Sequence, residues 1–183
     1  MRVITGSARG RKLMTLAGDD VVRPTAERVK EALFSIIQFE LEGAEVLDAF
    51  AGSGQLGIEA LSRGAARAVF TDENRDAVSV VRENLRHTQL ADRAEVLQTD
   101  VFSFLRAGRA QFDVLLLDPP YHRDIVQKAL PLLPACCKPN AIVVCETEEK
   151  AELPESVGAL RLLRTYKYGK TKLTTYRMRE GAQ

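Results

Sequence analysis

Asp118-Pro119-Pro120-Tyr121 closes the apolar run Phe112-Asp113-Val114-Leu115-Leu116-Leu117. The run is short enough to be a buried parallel strand. In an open α/β sheet, ligands bind where such strands end. The tetrad suits one chemical task. A carboxylate oxygen of Asp118 and the carbonyl of Pro119 can accept both hydrogens of an exocyclic amine. The two prolines fix the backbone that presents the carbonyl. The Tyr121 ring offers a face for the base that carries the amine. Both acceptors would favour a pyramidal nitrogen and localise its lone pair. As the nitrogen attacks an electrophile it gains positive charge, which Asp118 would stabilise.

A second motif supplies the partner for that nitrogen. Glu45-Val46-Leu47-Asp48 reads as a strand and leads through Ala49-Phe50-Ala51 into Gly52-Ser53-Gly54-Gln55-Leu56-Gly57. Gly52 and Gly54 let the backbone approach a ligand, and Gly57 suits close helix–strand packing. Asp72 ends the next strand, twenty residues after Gly52, a spacing that suits a carboxylate on ribose hydroxyls. Asp100 and Val101 follow the third strand, where Asp100 is placed to accept from an adenine amine. These features alone also fit a nicotinamide dinucleotide enzyme. Asp48 shifts the balance, because an acid just before the loop opposes a pyrophosphate and favours the cationic amino-acid end of S-adenosylmethionine. Helix capping or turn-making is the competing account of Asp48, Asp72 and Asp100.

The elements that must carry these residues alternate strand and helix, which predicts a parallel sheet with helices on both faces. Strands are expected at about 45–48, 68–71, 94–98, 112–117 and 141–146, with helices near 54–63, 75–87, 102–107 and 124–133. Two final strands, about 160–168 and 172–179, flank Tyr168-Gly169-Lys170-Thr171 as an antiparallel hairpin at a sheet edge. Before the first strand, residues 2–5 and 11–16 are expected to pair as a hairpin. Thr25 is expected to cap a helix running from Arg28 to Phe39. Residues 1–40 are thus an N-terminal basic extension and 41–183 the catalytic domain.

Composition narrows the setting. The chain of 183 residues is 45% hydrophobic, enough for one well-filled core. No apolar run approaches the ~20 residues of a membrane span, and the first residues lack the apolar stretch of a signal peptide. Cys136, Cys137 and Cys145 are an odd number without a framework spacing, which fits a reducing cytoplasm. With two distant histidines, no metal site is expected. The net charge of +1 hides an uneven distribution. Residues 1–30 hold seven Lys/Arg against three Asp/Glu, and residues 161–183 hold seven against one. Two basic ends flanking an acidic middle can neutralise phosphates.

These residues together resemble the bacterial RsmD-type 16S ribosomal RNA guanine-N2 methyltransferases. The resemblance runs from Ile4-Thr5-Gly6 and Arg9-Gly10-Arg11-Lys12-Leu13 through Arg23-Pro24-Thr25 with Arg28, Glu31, Ala32, Leu33 and Phe34. It continues through Asp48, Ala60-Leu61-Ser62-Arg63-Gly64-Ala65 and Asp118–Tyr121 to Tyr168-Gly169. It implies a Rossmann-like class I methyltransferase, a mostly parallel seven-stranded sheet with helices on both faces. It implies S-adenosylmethionine as donor, no metal, and a monomer acting on 16S rRNA within the small ribosomal subunit. The target would be the N2 amine of one guanine, at position 966 by the resemblance. Arg9, Arg11, Lys12, Arg23, Thr25 and Arg28 would contact the RNA. The chain departs from the family pattern at Ala49-Phe50, at Asp72 where many relatives have Glu, and at Lys170 where an acid is usual. Competing readings are a DNA adenine-N6 or cytosine-N4 methyltransferase, a protein glutamine methyltransferase, a catalytically silent RNA-binding protein and a nicotinamide oxidoreductase. The glutamine enzymes usually carry Asn in place of Asp118, and a sequence-reading DNA enzyme needs a larger recognition domain.

Overall fold

A computed structural model describes residues 1–16, 24–121 and 124–180, without the side chains of residues 24 and 25. Five parallel strands form one half of a single sheet: β1 (Glu45–Asp48), β2 (Arg67–Asp72), β3 (Ala94–Gln98), β4 (Phe112–Leu117) and β5 (Cys137–Glu148). Three antiparallel strands complete it: β6 (Ser156–Val157), β7 (Leu160–Tyr168) and β8 (Thr171–Met178). The spatial order is β3-β2-β1-β4-β5-β8-β7-β6. The helices are α1 (Pro24–Ile36), α2 (Gln55–Ser62), α3 (Arg75–Thr88), α4 (Val101–Ala107) and α5 (Ile125–Ala129). This is the Rossmann-like architecture, with a mixed sheet of eight strands rather than seven.

Strict alternation along the central strands explains the two covered faces. Val46, Val114, Leu116 and Val144 join one buried cluster with Val29, Leu33, Leu61 and Val81 of α1, α2 and α3. Their neighbours Leu47, Leu115, Leu117 and Val143 join a second cluster with Leu105, Val126 and Ala129 of α4 and α5. Val3, Ala8 and Leu13 lie in the first cluster, so residues 1–40 and the sheet share a core.

Several expected boundaries moved for identifiable reasons. The N-terminal hairpin reduces to an isolated bridge between Arg2 and Lys12. Its ladder is interrupted because the Ile4 and Thr5 N–H groups donate to the Glu59 carboxylate at 2.8 and 3.0 Å, not to a partner strand. Gly6 then presses on α2 so closely that a Cβ would lie 1.8 Å from the Ser62 carbonyl oxygen, and its φ of +90° is one L side chains avoid. Helix α1 starts at Pro24, a residue preorganised for a first turn, so Thr25 lies inside the helix instead of capping it. It ends at Ile36, and a short 3₁₀ turn spans Gln38–Glu40. Helix α5 stops at Ala129 and continues as a 3₁₀ segment over Leu130–Cys136, which contains Pro131 and Pro134. Strand β5 starts earlier than expected and takes Lys138-Pro139-Asn140 into an irregularity. Strand β6 has two residues, too few for any periodic signal. The hairpin β7–β8 forms as expected around Gly169-Lys170, with Tyr168 opposite Thr171.

Candidate active site

The strand order reverses between β1 and β4, and a cavity of about 770 Å³ opens at the carboxyl ends of the strands beside that switch point. Phe50 and Gly52 line it after β1, Asp72 after β2, and Asp100 and Val101 after β3. Asp118, Pro119, Pro120 and Tyr121 line it after β4. All four strand ends that the sequence marks therefore meet in one place. Leu16 of the N-terminal segment, Phe102, Ile125 and Lys128 also line it, as do Glu73 and Asn74 between β2 and α3 and Ala77 of α3, and the sequence did not single these out.

Asp48, Ala51, Ser53, Gly54 and Gly57 stand behind the cavity rather than on its wall, and they build the loop. Asp48 is 1% exposed, and its Oδ2 accepts from the Gly57 N–H at 2.8 Å. Its Oδ1 has no hydrogen-bond partner among the described residues. Burial pushes the Asp48 carboxyl up to about 7, opposed by the Gly57 N–H and assisted by the Asp72 charge. Gly57 packs against β2 so tightly that a Cβ would lie 2.3 Å from the Phe70 ring. The Ala51 N–H donates to the Thr71 carbonyl at 3.0 Å. The Ser53 carbonyl accepts from Asn84 Nδ2 at 2.9 Å. Asn84 is fully buried in α3 and also exchanges two hydrogen bonds with the Met14 backbone. One amide thus ties the N-terminal segment to the glycine loop.

Asp72 Oδ2 accepts from the Gly52 N–H and Oδ1 from the Asn74 N–H, both at 2.9 Å. Asp100 caps α4: its Oδ2 accepts from the Ser103 N–H and Oγ, each at 2.8 Å. Those two bonds hold the carboxyl below its ordinary range. The capping account of Asp100 is therefore realised, on a residue that also faces the cavity.

At the β4 end, Pro119 is buried, Pro120 is exposed and Asp118 is half-buried. Burial lifts the Asp118 carboxyl well above the usual carboxylate range, and the nearby Glu146 and Asp48 charges add to it. Glu146, near the end of β5, is raised in the same direction by burial. It was absent from the sequence reading, although Val143-Val144-Cys145-Glu146 repeats the signal that exposed Asp118: an apolar strand closed by an acid. The Tyr121 hydroxyl donates to Glu146 Oε1 at 2.9 Å and lies 2.9 Å from Thr171 Oγ1.

Of the residues expected at an RNA surface, Arg9, Lys12 and Arg28 are exposed. Arg11 is partly buried and donates to the His87 carbonyl and, at 3.3 Å, to Gln89 Oε1. Arg23 and the Thr25 side chain lie outside the described residues, as does His122.

A Rossmann-like sheet with a glycine loop after its first strand and an acidic Pro-Pro-Tyr tetrad after its fourth defines a methyltransferase. The chain belongs to the family described as Conserved hypothetical protein 95, whose model matches residues 1–177. The Bacillus subtilis protein YlbH is 39% identical over 184 residues, covering 98% of this chain and 100% of that one. A Haemophilus influenzae relative named Ribosomal RNA small subunit methyltransferase D is 39% identical over 170 residues, covering 88% of this chain and 86% of that one. Among solved structures, the Thermus thermophilus 16S rRNA N2 G1207 methyltransferase in complex with AdoMet and guanosine superposes with a TM-score of 0.73. It is 25% identical, over 88% of this chain and 44% of that one.

Asp72 gives the first test of the cavity as a cofactor site. Asp72→Ala weakens S-adenosylmethionine by roughly 1–3 kcal/mol in calorimetry, the scale of a lost charged hydrogen-bond acceptor. Unchanged affinity would show that Asp72 only braces Gly52 and Asn74.

Proposed function

We propose that this protein is an S-adenosylmethionine-dependent rRNA methyltransferase acting on the exocyclic N2 amine of a guanine in 16S rRNA, within the small ribosomal subunit. The observation that carries the reading is the convergence of Asp118-Pro119-Pro120-Tyr121 and the glycine loop on one cavity at the sheet's switch point. The residues fit the cofactor. Asp48 Oδ1 is a buried acceptor without a partner among the described residues, which a cationic amino-acid end nearby would relieve. Asp72 would meet the ribose, Asp100 and Val101 the adenine, and Phe50 and Gly52 the body of the molecule, with Ala51, Ser53 and Gly54 shaping the loop from behind. When bound, S-adenosylmethionine supplies a methyl group made electrophilic by its sulfonium.

The chain's own residues then do three things. Asp118 and the Pro119 carbonyl hold the two amine hydrogens and aim the nitrogen, so positioning supplies much of the rate. Asp118 offsets the positive charge that grows on the nitrogen and accepts or releases its proton to water. Tyr121 carries the base, which must be unstacked to enter. Exposed Arg9, Lys12 and Arg28, with Arg11, Arg23 and Thr25 of the same segment, contact the RNA backbone. The H. influenzae and T. thermophilus names support an rRNA substrate and a guanine N2 target. Position 966 rests on the sequence resemblance. On this reading the protein acts as a monomer in the cytoplasm; separately, among the described residues no helix is long and apolar enough to cross a membrane.

The test is transfer of radiolabelled methyl to small subunits lacking the modification, with naked 16S RNA and duplex DNA in parallel. Label recovered as N2-methylguanine on the subunit is the expected result. Label on DNA alone would overturn the substrate.

A further inference from the structure

We propose that Glu146 and Thr171 are positioning residues that hold the Tyr121 ring by its hydroxyl and so make it a fixed platform for the substrate base. The proposal rests on the methyl-transfer reading above and adds to it the residues that set where the base lies. Three elements meet at one oxygen. Tyr121 follows β4, Glu146 belongs to β5, and Thr171 opens β8. Tyr121 Oη is 2.9 Å from both Glu146 Oε1 and Thr171 Oγ1. One arrangement satisfies all three groups: the Thr171 hydroxyl donates to Oη, and the Oη hydrogen goes to the carboxylate.

Geometry makes this more than a surface contact. Tyr121 is 36% exposed and lines the cavity. Thr171 is 8% exposed, and Glu146 is partly buried. An acid placed there next to Asp118 costs desolvation and repulsion. Its hydrogen bond to the phenol is the compensation in view. At the backbone end of the side chain, Pro119-Pro120 restrict the chain. At the far end the hydroxyl is tied to the antiparallel half of the sheet. A ring fixed at both ends has lost its rotamer freedom before substrate arrives, so the base does not bear that cost on binding.

Glu146 also raises the Asp118 carboxyl, and a double-mutant cycle separates the two effects. Measured on subunits at the high-pH plateau, Tyr121→Phe lowers kcat roughly tenfold, the scale of one net hydrogen bond to a charged group. Cofactor affinity stays within about twofold. Glu146→Leu and Thr171→Val lower kcat in the same direction, and Glu146→Gln, which keeps an acceptor, recovers most of the loss. In the Tyr121→Phe background, Glu146→Leu adds little. Additive losses would overturn the proposal, since Glu146 would then act without the hydroxyl. A second readout is independent of transfer. In protein labelled with carbon-13 tyrosine, one of four ring signals disappears in Tyr121→Phe and is thereby assigned. In Glu146→Leu that signal shifts while the other three stay. An unmoved Tyr121 signal would overturn the anchor even if methylation falls. A shifted signal in a protein that methylates no guanine would uphold the anchor and sink the substrate reading.

Discussion

Asp118→Ala lowers kcat by roughly a hundred- to a thousand-fold, the range lost when one preorganised transition-state group is removed. S-adenosylmethionine affinity changes by no more than a few-fold, because the glycine loop is built by Asp48, Asp72 and Asn84. A pH profile of the parent enzyme sharpens the test. The Asp118 carboxyl is held well above its ordinary range, so below that raised value it is neutral and a poorer acceptor. The rate therefore rises with pH as the carboxyl ionises. Glu146→Gln removes a neighbouring negative charge and moves the rise to lower pH. Single-turnover transfer to subunits across pH, with cofactor binding by calorimetry, gives both numbers. Collapse of cofactor binding in Asp118→Ala would make the residue structural. A rate that falls with rising pH would contradict its role as the ionised acceptor.

The second large effect falls on stability. Glu59→Ala destabilises the fold by about 3–5 kcal/mol, the range for breaking a buried ion pair by removing one partner. Glu59 is fully buried in α2. Its carboxylate receives Ile4 N–H, Thr5 N–H, Lys30 Nζ at 3.3 Å and Arg63 Nε at 2.8 Å. Lys30, itself 3% exposed, is already held below its ordinary value by burial and is sustained by Glu59. Without the acid, two amides lose their acceptor and buried Lys30 loses its counter-ion, though its Nζ still donates to the Arg2 carbonyl at 2.8 Å. Urea unfolding monitored by circular dichroism reads the loss, and limited proteolysis reads release of residues 1–16 at lower urea than the core. A loss under about 1 kcal/mol would mean that the cluster is replaceable by water.

The contrast between Asp118 and Glu59 marks what the sequence disclosed. Asp118 stands at the end of an apolar run beside prolines and an aromatic, and local pattern suffices to find it. The boundaries of β3 and β4 followed from the same kind of pattern. Glu59 sits mid-helix in Gly57-Ile58-Glu59-Ala60, where an acid normally means a solvated face, and the Ile4 and Thr5 amides it accepts from lie more than fifty residues away. No window along the chain contains that information. The same holds for Asn84 and for Thr171, whose neighbour in space is Tyr121. The N-terminal hairpin is shorter than expected for this reason too: a carboxylate from α2 took the amides that a strand partner would have received.

Strand β8 lies between β5 and β7, so a chain emerging from the ribosome makes β7 before the strand that joins it to the sheet. Until residues 171–178 exist, β5 presents a bare edge open to pairing with other chains. The glycine loop, Asp72 and Asp118 are by then already synthesised, whereas Thr171 is not. Translation that stops early, or proteolytic clipping of the final strand, therefore leaves the donor-side loop intact and removes one anchor of the acceptor-side platform. It also leaves a sticky edge that marks the fragment for aggregation or disposal. Completion of the Tyr121 platform and covering of the β5 edge are thereby a single event, the making of β8.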